Sequence, residues 1–367
     1  MSNISAEMAP EKEMLNWGRL LMDGIPYADL VGAQVRPDDV SWFDYWMGAA
    51  GRYEEAAEHA AATGHRQSAG EFFVLASLCA QYAQYLWFGD DRTLGQARKA
   101  TLYLQAAQYF EPQAERFDVP IDDVTIPGYV RVPKGEGPWP CAVLIGGLES
   151  TKEESYQFEQ LLLARGVAIA SFDGPGQGEM VAHTPACGDF DRFTSQVVDF
   201  LVKDSRLDAD KLAVVGRSLG GHYALRSASM DSRFAVCVSW GGYVNFENWE
   251  GRAPLSKESW RFVSGSANLD EARVFVENEL DARPILEQLR VPTYFLHGAL
   301  DFVPVSQVEV LKKYAVNADL TVVVEPAGDH CCHNLGPRPR LEMVDWVADQ
   351  LGSAGLLTVA GEARPAV

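Results

Sequence analysis

The sequence predicts an α/β fold with a mainly parallel sheet, preceded by an all-helical region. Three observations carry this expectation. Apolar residues recur at helical spacing up to about Gln113, and from about Arg116 short apolar strands alternate with helical patterns. The later strands are continuous apolar runs (AVLI, AVV, TVVV), as strands buried on both faces of a sheet read.

In the first region, Trp42 to Ala62 carries an aromatic cluster and then an alanine-rich amphipathic run. Glu71 to Phe88 has apolar residues at three- and four-residue spacing with Gly89 as a stop signal, and Thr93 to Ala107 reads as a further helix. Antiparallel helices joined by short loops follow from this pattern. Tandem helical hairpins could also form a protein-binding solenoid, but no self-similar period near about thirty-four residues is present. A scaffold or a lid over an active site remains, and the many aromatics suit either a lid or a plain core.

Strands are expected at Arg116 to Ile121, Asp123 to Val132, Cys141 to Gly146, Val167 to Asp173, Lys211 to Gly216, Phe234 to Trp240, Thr293 to His297 and Leu320 to Glu325. The first two, separated by little more than Asp122, can only be a hairpin on an antiparallel edge. Tyr243 to Arg290 interrupts the alternation and reads as an insertion, helical in parts. The expected division is a helical cap over 1–115, an α/β catalytic domain over 116–352 with an inserted cap segment at 243–290, and a flexible tail over 353–367.

The 367 residues exceed what one core usually organises, and 47% apolar composition is ordinary for a globular protein. No run approaches the roughly eighteen apolar residues of a membrane span, and Met1 to Trp17 is polar and acidic, unlike a secretory leader. A cytoplasmic protein with no membrane partner is expected. The six cysteines suit that compartment: no CxxC pair occurs, and Cys79, Cys141 and Cys237 lie in apolar patterns. A net charge of −20 argues against nucleic acid, since nothing would neutralise phosphate. The charge suits solubility, or attraction of a cationic substrate.

The sharpest local signal is Gly216-Arg217-Ser218-Leu219-Gly220-Gly221, which follows an apolar strand and opens a helical pattern. A sharp strand-to-helix turn there would lift the Ser218 hydroxyl clear of the sheet edge and make the Leu219 N–H an oxyanion donor. A serine needs a base, and the base needs an orienting group. Asp301 and His330 each lie just past the carboxyl end of an expected strand, where open α/β sheets place catalytic groups. His330-Cys331-Cys332-His333 invites a zinc reading, but adjacent ligands do not have the spacing of a tetrahedral site and no second ligand pair is evident. No metal and no cofactor are expected. His222 and His297 are assigned local structural roles.

The G-x-S-x-G-G elbow, the HGxxDxxVP stretch at His297 to Pro304 and the terminal Gly328-Asp329-His330, in that chain order, resemble the α/β-hydrolase family over about Arg116 to Leu351. Asp173-Gly174-Pro175-Gly176-Gln177-Gly178 matches that family's turn after its fourth strand. The resemblance implies a Ser218–His330–Asp301 triad and a second oxyanion donor, the Leu148 N–H, in Gly146-Gly147-Leu148-Glu149-Ser150. The helical N-terminal region and the GGLES segment make the chain similar to a branch of hydrolases that cleave carbon–carbon bonds, including fungal pigment-pathway enzymes and bacterial enzymes of nicotine breakdown. That resemblance implies an aromatic ketone substrate split to 2,6-dihydroxypyridine and 4-methylaminobutanoate, and a homodimer. Glu149 is assigned a catalytic or substrate-binding role, because a carboxylate beside an oxyanion site opposes ester hydrolysis but can bind a proton, a cationic nitrogen or an enol hydroxyl. A solvated or helix-capping glutamate is the plainer alternative. An ordinary carboxylesterase or dienelactone-type hydrolase, and a non-catalytic helical interaction protein, are the rival functions.

Overall fold

The computed structural model describes residues 16–353 of the chain. Apart from Ser353, the tail expected over 353–367 lies outside the described residues, as does most of the acidic stretch at the N-terminus. Among the described residues no helix is long and apolar enough to cross a membrane.

Five helices come first: α1 (Trp17–Asp23), α2 (Tyr27–Gln34), α3 (Trp42–Ala62), α4 (Arg66–Gln84) and α5 (Arg92–Ala107). The Ser41 hydroxyl accepts from the Asp44 N–H at 3.0 Å and caps α3. Trp42, Trp46, Tyr82 and Tyr103 are fully enclosed in the core these helices share. Helix α4 corrects the expected span of Glu71 to Phe88. It starts a turn earlier, over polar residues that hide its period. It ends at Gln84 because Tyr85 is extended and Leu86 is left-handed at φ 54°. The break lets the Trp87 carbonyl accept from Arg92 at 2.9 Å and frees Trp87 to stack on Phe43 and Phe88 to pack at a tilt against Phe262. The aromatic run keeps a helical spacing but is used in a loop.

All eight expected strands form: β1 (Glu115–Ile121), β2 (Val124–Arg131), β3 (Trp139–Ile145), β4 (Ala168–Phe172), β5 (Leu207–Arg217), β6 (Phe234–Trp240), β7 (Thr293–Gly298) and β8 (Leu320–Glu325). They make one sheet in the order β1-β2-β4-β3-β5-β6-β7-β8. The β1–β2 hairpin is antiparallel and joins β4 antiparallel, and every pairing from β4 to β8 is parallel. Strand β5 outruns its expected start because Leu207 pairs with Trp139 ahead of a register shift. Helices α6 (Tyr156–Leu163), α7 (Phe190–Leu201), α8 (Leu219–Met230), α9 (Pro254–Val263), α10 (Leu269–Glu279), α11 (Gln307–Tyr314) and α12 (Arg338–Gln350) follow. Alternation along the strands builds both faces: Val143 and Val214 join Phe190 and Tyr223 on one, and Ala142 and Val215 join Leu162 and Met343 on the other. The stretch 243–290, between β6 and β7, carries α9 and α10.

A charged seam joins the first helices to the sheet. Lys99 on α5 is fully buried with its ammonium 3.1 Å from Glu153, an ion pair without hydrogen-bond alignment. The Lys152 ammonium lies 2.7 Å from Glu153, 2.6 Å from Asp173 and 2.5 Å from Glu179, so it occupies the space among three carboxylates that could otherwise gather a metal ion. A second cluster sets Asp23 and Glu154 against Arg19, Arg217 and Arg340. Burial pushes the Glu153 carboxyl up, but Lys152 and Lys99 outweigh it and hold the group well below the usual carboxylate range. For Asp23 burial is likewise overcome, by Arg217, Arg340 and Arg19.

Carboxylates depressed in this way stabilise the fold above their unfolded values, and that contribution is lost as pH falls through the folded ones. Urea midpoints are therefore expected to drop between about pH 5 and pH 3, and less steeply in Glu153→Gln, which lacks one of the linked groups. Lys99→Met should cost about 3 kcal/mol near neutral pH, since it strips a partner from a buried charge. A cost indistinguishable from zero in urea unfolding would contradict the structural role of the pair.

Candidate active site

Strand β5 runs into a bend of a kind only special residues tolerate. Ser218 sits at φ 58° and ψ −120°, and α8 begins at the next residue. A Cβ on Gly216 would lie 1.8 Å from the Gly220 carbonyl oxygen, and one on Gly220 would lie 2.1 Å from that of Ile145. The bend therefore requires both glycines. A serine held there stores about 1–3 kcal/mol of strain, which the surrounding structure must overcome. Its own N–H donates to the Trp240 carbonyl at 2.8 Å.

Trp240 also anchors the loop carrying the base, since its indole N–H donates to the Cys331 carbonyl at 2.6 Å. Cys331 and Cys332 are both left-handed, which swings His330 back over the sheet edge. His330 Nε2 lies 2.7 Å from Ser218 Oγ, and its Nδ1 lies 2.8 and 2.9 Å from the two Asp301 oxygens. The Asp301 side chain is fully buried and accepts from the Val303 N–H at 2.8 Å. Burial opposes the imidazolium, but the Asp301 carboxylate, aided by Cys331, outweighs it and pushes His330 up to about 10.

The other histidines differ. His297 contacts the Val303 carbonyl at 3.1 Å and so supports the Asp301 loop. His222 contacts the Tyr243 carbonyl at 3.1 Å, and burial with the Arg226 charge pushes it down to about 3, leaving it neutral. His333, in the motif that suggested zinc, is buried against Arg340 at 3.2 Å.

On the opposite side of Ser218, the chain after β3 presses against the elbow. A Cβ on Gly147 would meet Arg217 O and Ser218 Cβ, each at 3.0 Å, so only glycine lets Leu148 follow so closely. Gln177, in the loop after β4, donates to the Gly146 carbonyl at 2.6 Å and accepts from the Gly174 N–H at 3.2 Å, bracing this segment. Leu219 is the first residue of α8, so no carbonyl of its own helix can reach its N–H.

Glu149 is neither solvated nor a helix cap. It is 4% exposed at φ 63°, and its carboxylate meets Arg92 at 2.5 Å. Gln81 donates to its carbonyl at 3.1 Å, while the second carboxylate oxygen is buried without a partner among the described residues. Arg92 was not singled out from the sequence. Its guanidinium comes from α5 and rests over Phe262 of α9 at 4.2 Å, a meeting that no local motif announces. Arg217 stands in the variable position of the elbow, and Gln177 in the turn after β4.

A sheet of this topology with serine, histidine and aspartate linked at its carboxyl edge defines an α/β-hydrolase. Comparison with known proteins narrows the class. The description "Esterase FrsA-like" matches residues 37–247. The 2,6-dihydropseudooxynicotine hydrolase of Paenarthrobacter nicotinovorans is 52% identical over 348 residues, covering 95% of either chain. A crystal structure of 2,6-dihydroxy-pseudo-oxynicotine hydrolase superimposes with a TM-score of 0.89 at 52% identity, over 92% of this chain and 97% of that one. The 20-hydroxy-prefusarin hydrolase of Gibberella moniliformis is 33% identical over 62% of this chain and 57% of its own. The chain belongs to the FrsA-like esterase family of α/β-hydrolases.

The raised His330 value can be measured directly. In a proton NMR titration its ring is expected to change charge well above the ordinary histidine value of 6.5, with Asp301→Asn moving the transition down. A titration unmoved by that substitution would deny the coupling.

Proposed function

We propose that the hydrolase cleaves the carbon–carbon bond joining ring and acyl chain in 2,6-dihydroxypseudooxynicotine, giving 2,6-dihydroxypyridine and 4-methylaminobutanoate. The observation that carries the chemistry is the 2.7 Å contact between a strained Ser218 and His330. The substrate rests on the likeness to the Paenarthrobacter enzyme.

In this reading Ser218, Asp301 and His330 are the catalytic triad, and the Leu219 and Leu148 N–H groups form the oxyanion hole. In its neutral form, the share of which grows as pH rises toward the elevated His330 value, His330 takes the Ser218 proton as the hydroxyl attacks the ketone carbonyl, and Asp301 stabilises the imidazolium that results. The ring carbon becomes a leaving group once the hydroxypyridine has tautomerised to its keto form. Scission gives an acyl-serine and the ring enolate, and water activated by His330 then releases the acid. The first helices and the inserted segment cover the site as a cap, an arrangement supported by the Phe88–Phe262 and Arg92–Phe262 contacts.

Glu149 acts on the ring. Its pairing with Arg92 offsets the repulsion a bare carboxylate would exert on the oxyanion, and its unpartnered oxygen is an acceptor for a ring hydroxyl or N–H. Ester hydrolysis is the second reading, favoured by the family description.

The purified protein is expected to release dihydroxypyridine from the ketone and to label on Ser218 with a fluorophosphonate. Ser218→Ala should lose about 10⁴-fold or more in turnover. Turnover of nitrophenyl esters but not of the ketone would favour the esterase. Glu149→Gln should cut ketone turnover far more than turnover of a small activated ester. Equal losses would remove Glu149 from the chemistry.

A further inference from the structure

Arg92, Arg131, Arg252 and Arg340 are the arginines buried among the described residues. Three of them meet a carboxylate: Arg92 with Glu149 at 2.5 Å, Arg131 with Glu159 at 3.0 Å and Arg340 with Asp23 at 3.4 Å. Arg252, 8% exposed, is within ion-pair distance of no carboxylate among the described residues, and its Nε has no acceptor. A guanidinium withdrawn from water without a counter-charge costs several kcal/mol, so its retention calls for an anion that arrives from outside the chain.

Its position indicates which anion. Arg252 lies in the inserted segment just before α9, with its guanidinium 4.7 Å from the Phe246 ring and 4.7 Å from the Phe302 ring. The Phe302 ring in turn lies 4.2 Å from the His330 imidazole, so a single aromatic side chain separates the unpaired cation from the base. The two phenyl rings hold the guanidinium but offer it no acceptor. Asp301 acts on it through space, yet that carboxylate is already bonded to His330 and the Val303 N–H. Burial disfavours the charge on Arg252. The Tyr243 hydroxyl, which also faces this charge, is buried without a partner as well.

We propose that Arg252 binds the ring oxygen of the aryl ketone and holds the negative charge that appears there when the carbon–carbon bond breaks. The proposal rests on the carbon–carbon hydrolase reading above. As the tetrahedral adduct collapses, its oxyanion re-forms a carbonyl. The pair of the breaking bond becomes a ring C=C, and the charge of the adduct moves to the neighbouring ring oxygen as an enolate. The proton held by the His330 imidazolium is then returned to the departing ring. The adduct stage places charge in the oxyanion hole, and the scission stage places it on the ring. Arg252 serves the second location, which an ester with a small leaving group does not use in the same way.

The test uses the full chain with Arg252→Met, which keeps the stem between Phe246 and Phe302, and Arg252→Lys. Three quantities are measured: binding of 2,6-dihydroxypyridine, the ratio of ketone to 4-nitrophenyl acetate kcat/KM, and the melting temperature. Arg252→Met is expected to weaken dihydroxypyridine binding at least ~10-fold and to lower the ketone-to-ester ratio ~30-fold or more, as loss of a charge-assisted hydrogen bond does. Arg252→Lys should recover part of both, and Arg252→Met should melt no lower than the parent. Unchanged product binding, or ketone and ester losses in parallel with a lowered melting temperature, would make Arg252 a packing residue and overturn the proposal. If the parent neither binds dihydroxypyridine nor cleaves the ketone, the substrate reading fails. The anion site then stands only if 4-nitrophenolate binds the parent and not Arg252→Met, and falls if it binds neither or both.

Discussion

The guanidinium of Arg217 lies one residue before Ser218 and bonds to Asp23 at the end of α1 and to Glu154 beyond the β3 loop, at 2.7 and 2.6 Å. Arg19 and Arg340 complete the cluster from α1 and α12, so four separated stretches of chain meet beside the elbow. Each of these charges left water at a cost of several kcal/mol, and only mutual satisfaction offsets it. The geometry is consequently all-or-none: the elbow, the β3 loop and α1 hold one another in place. A strained Ser218 backbone persists because this cluster and the Trp240 carbonyl both oppose its relaxation.

Two kinds of environment sort the histidines. His330 is held up by an adjacent buried carboxylate, while His222 has a carbonyl for a partner and an arginine nearby and is held down. Burial acts against the charged form of both, so the sign of the neighbouring charge decides the outcome. Sequence position separates them too, since one follows a strand end and the other lies inside α8.

Local chemistry was legible in the sequence, and distant partnership was not. The eight strands, the hairpin edge, the bend at Ser218 and the strand-end positions of Asp301 and His330 follow from apolar runs, glycines and chain order. Each is specified by neighbours a few residues away. The end of α4 escaped this reading because Tyr85, Trp87 and Phe88 keep a helical period while serving a loop packed on Phe43 and Phe262. Arg92 escaped for a related reason. Its partner Glu149 is 57 residues away, and nothing in a polar helix face distinguishes a guanidinium that will be buried. Glu149 stands out in the sequence as a carboxylate beside the expected oxyanion donor, but its neutralising cation belongs to another element altogether.

That pair bears on modularity. A chain shortened to the sheet and its flanking helices would retain serine, histidine and aspartate, yet would leave the Glu149 carboxylate bare, two residues along from the glycine that presses on the elbow. The opening segment therefore contributes the cation that neutralises Glu149. A foreign opening segment grafted onto this sheet would need to bring a cation of its own to Glu149.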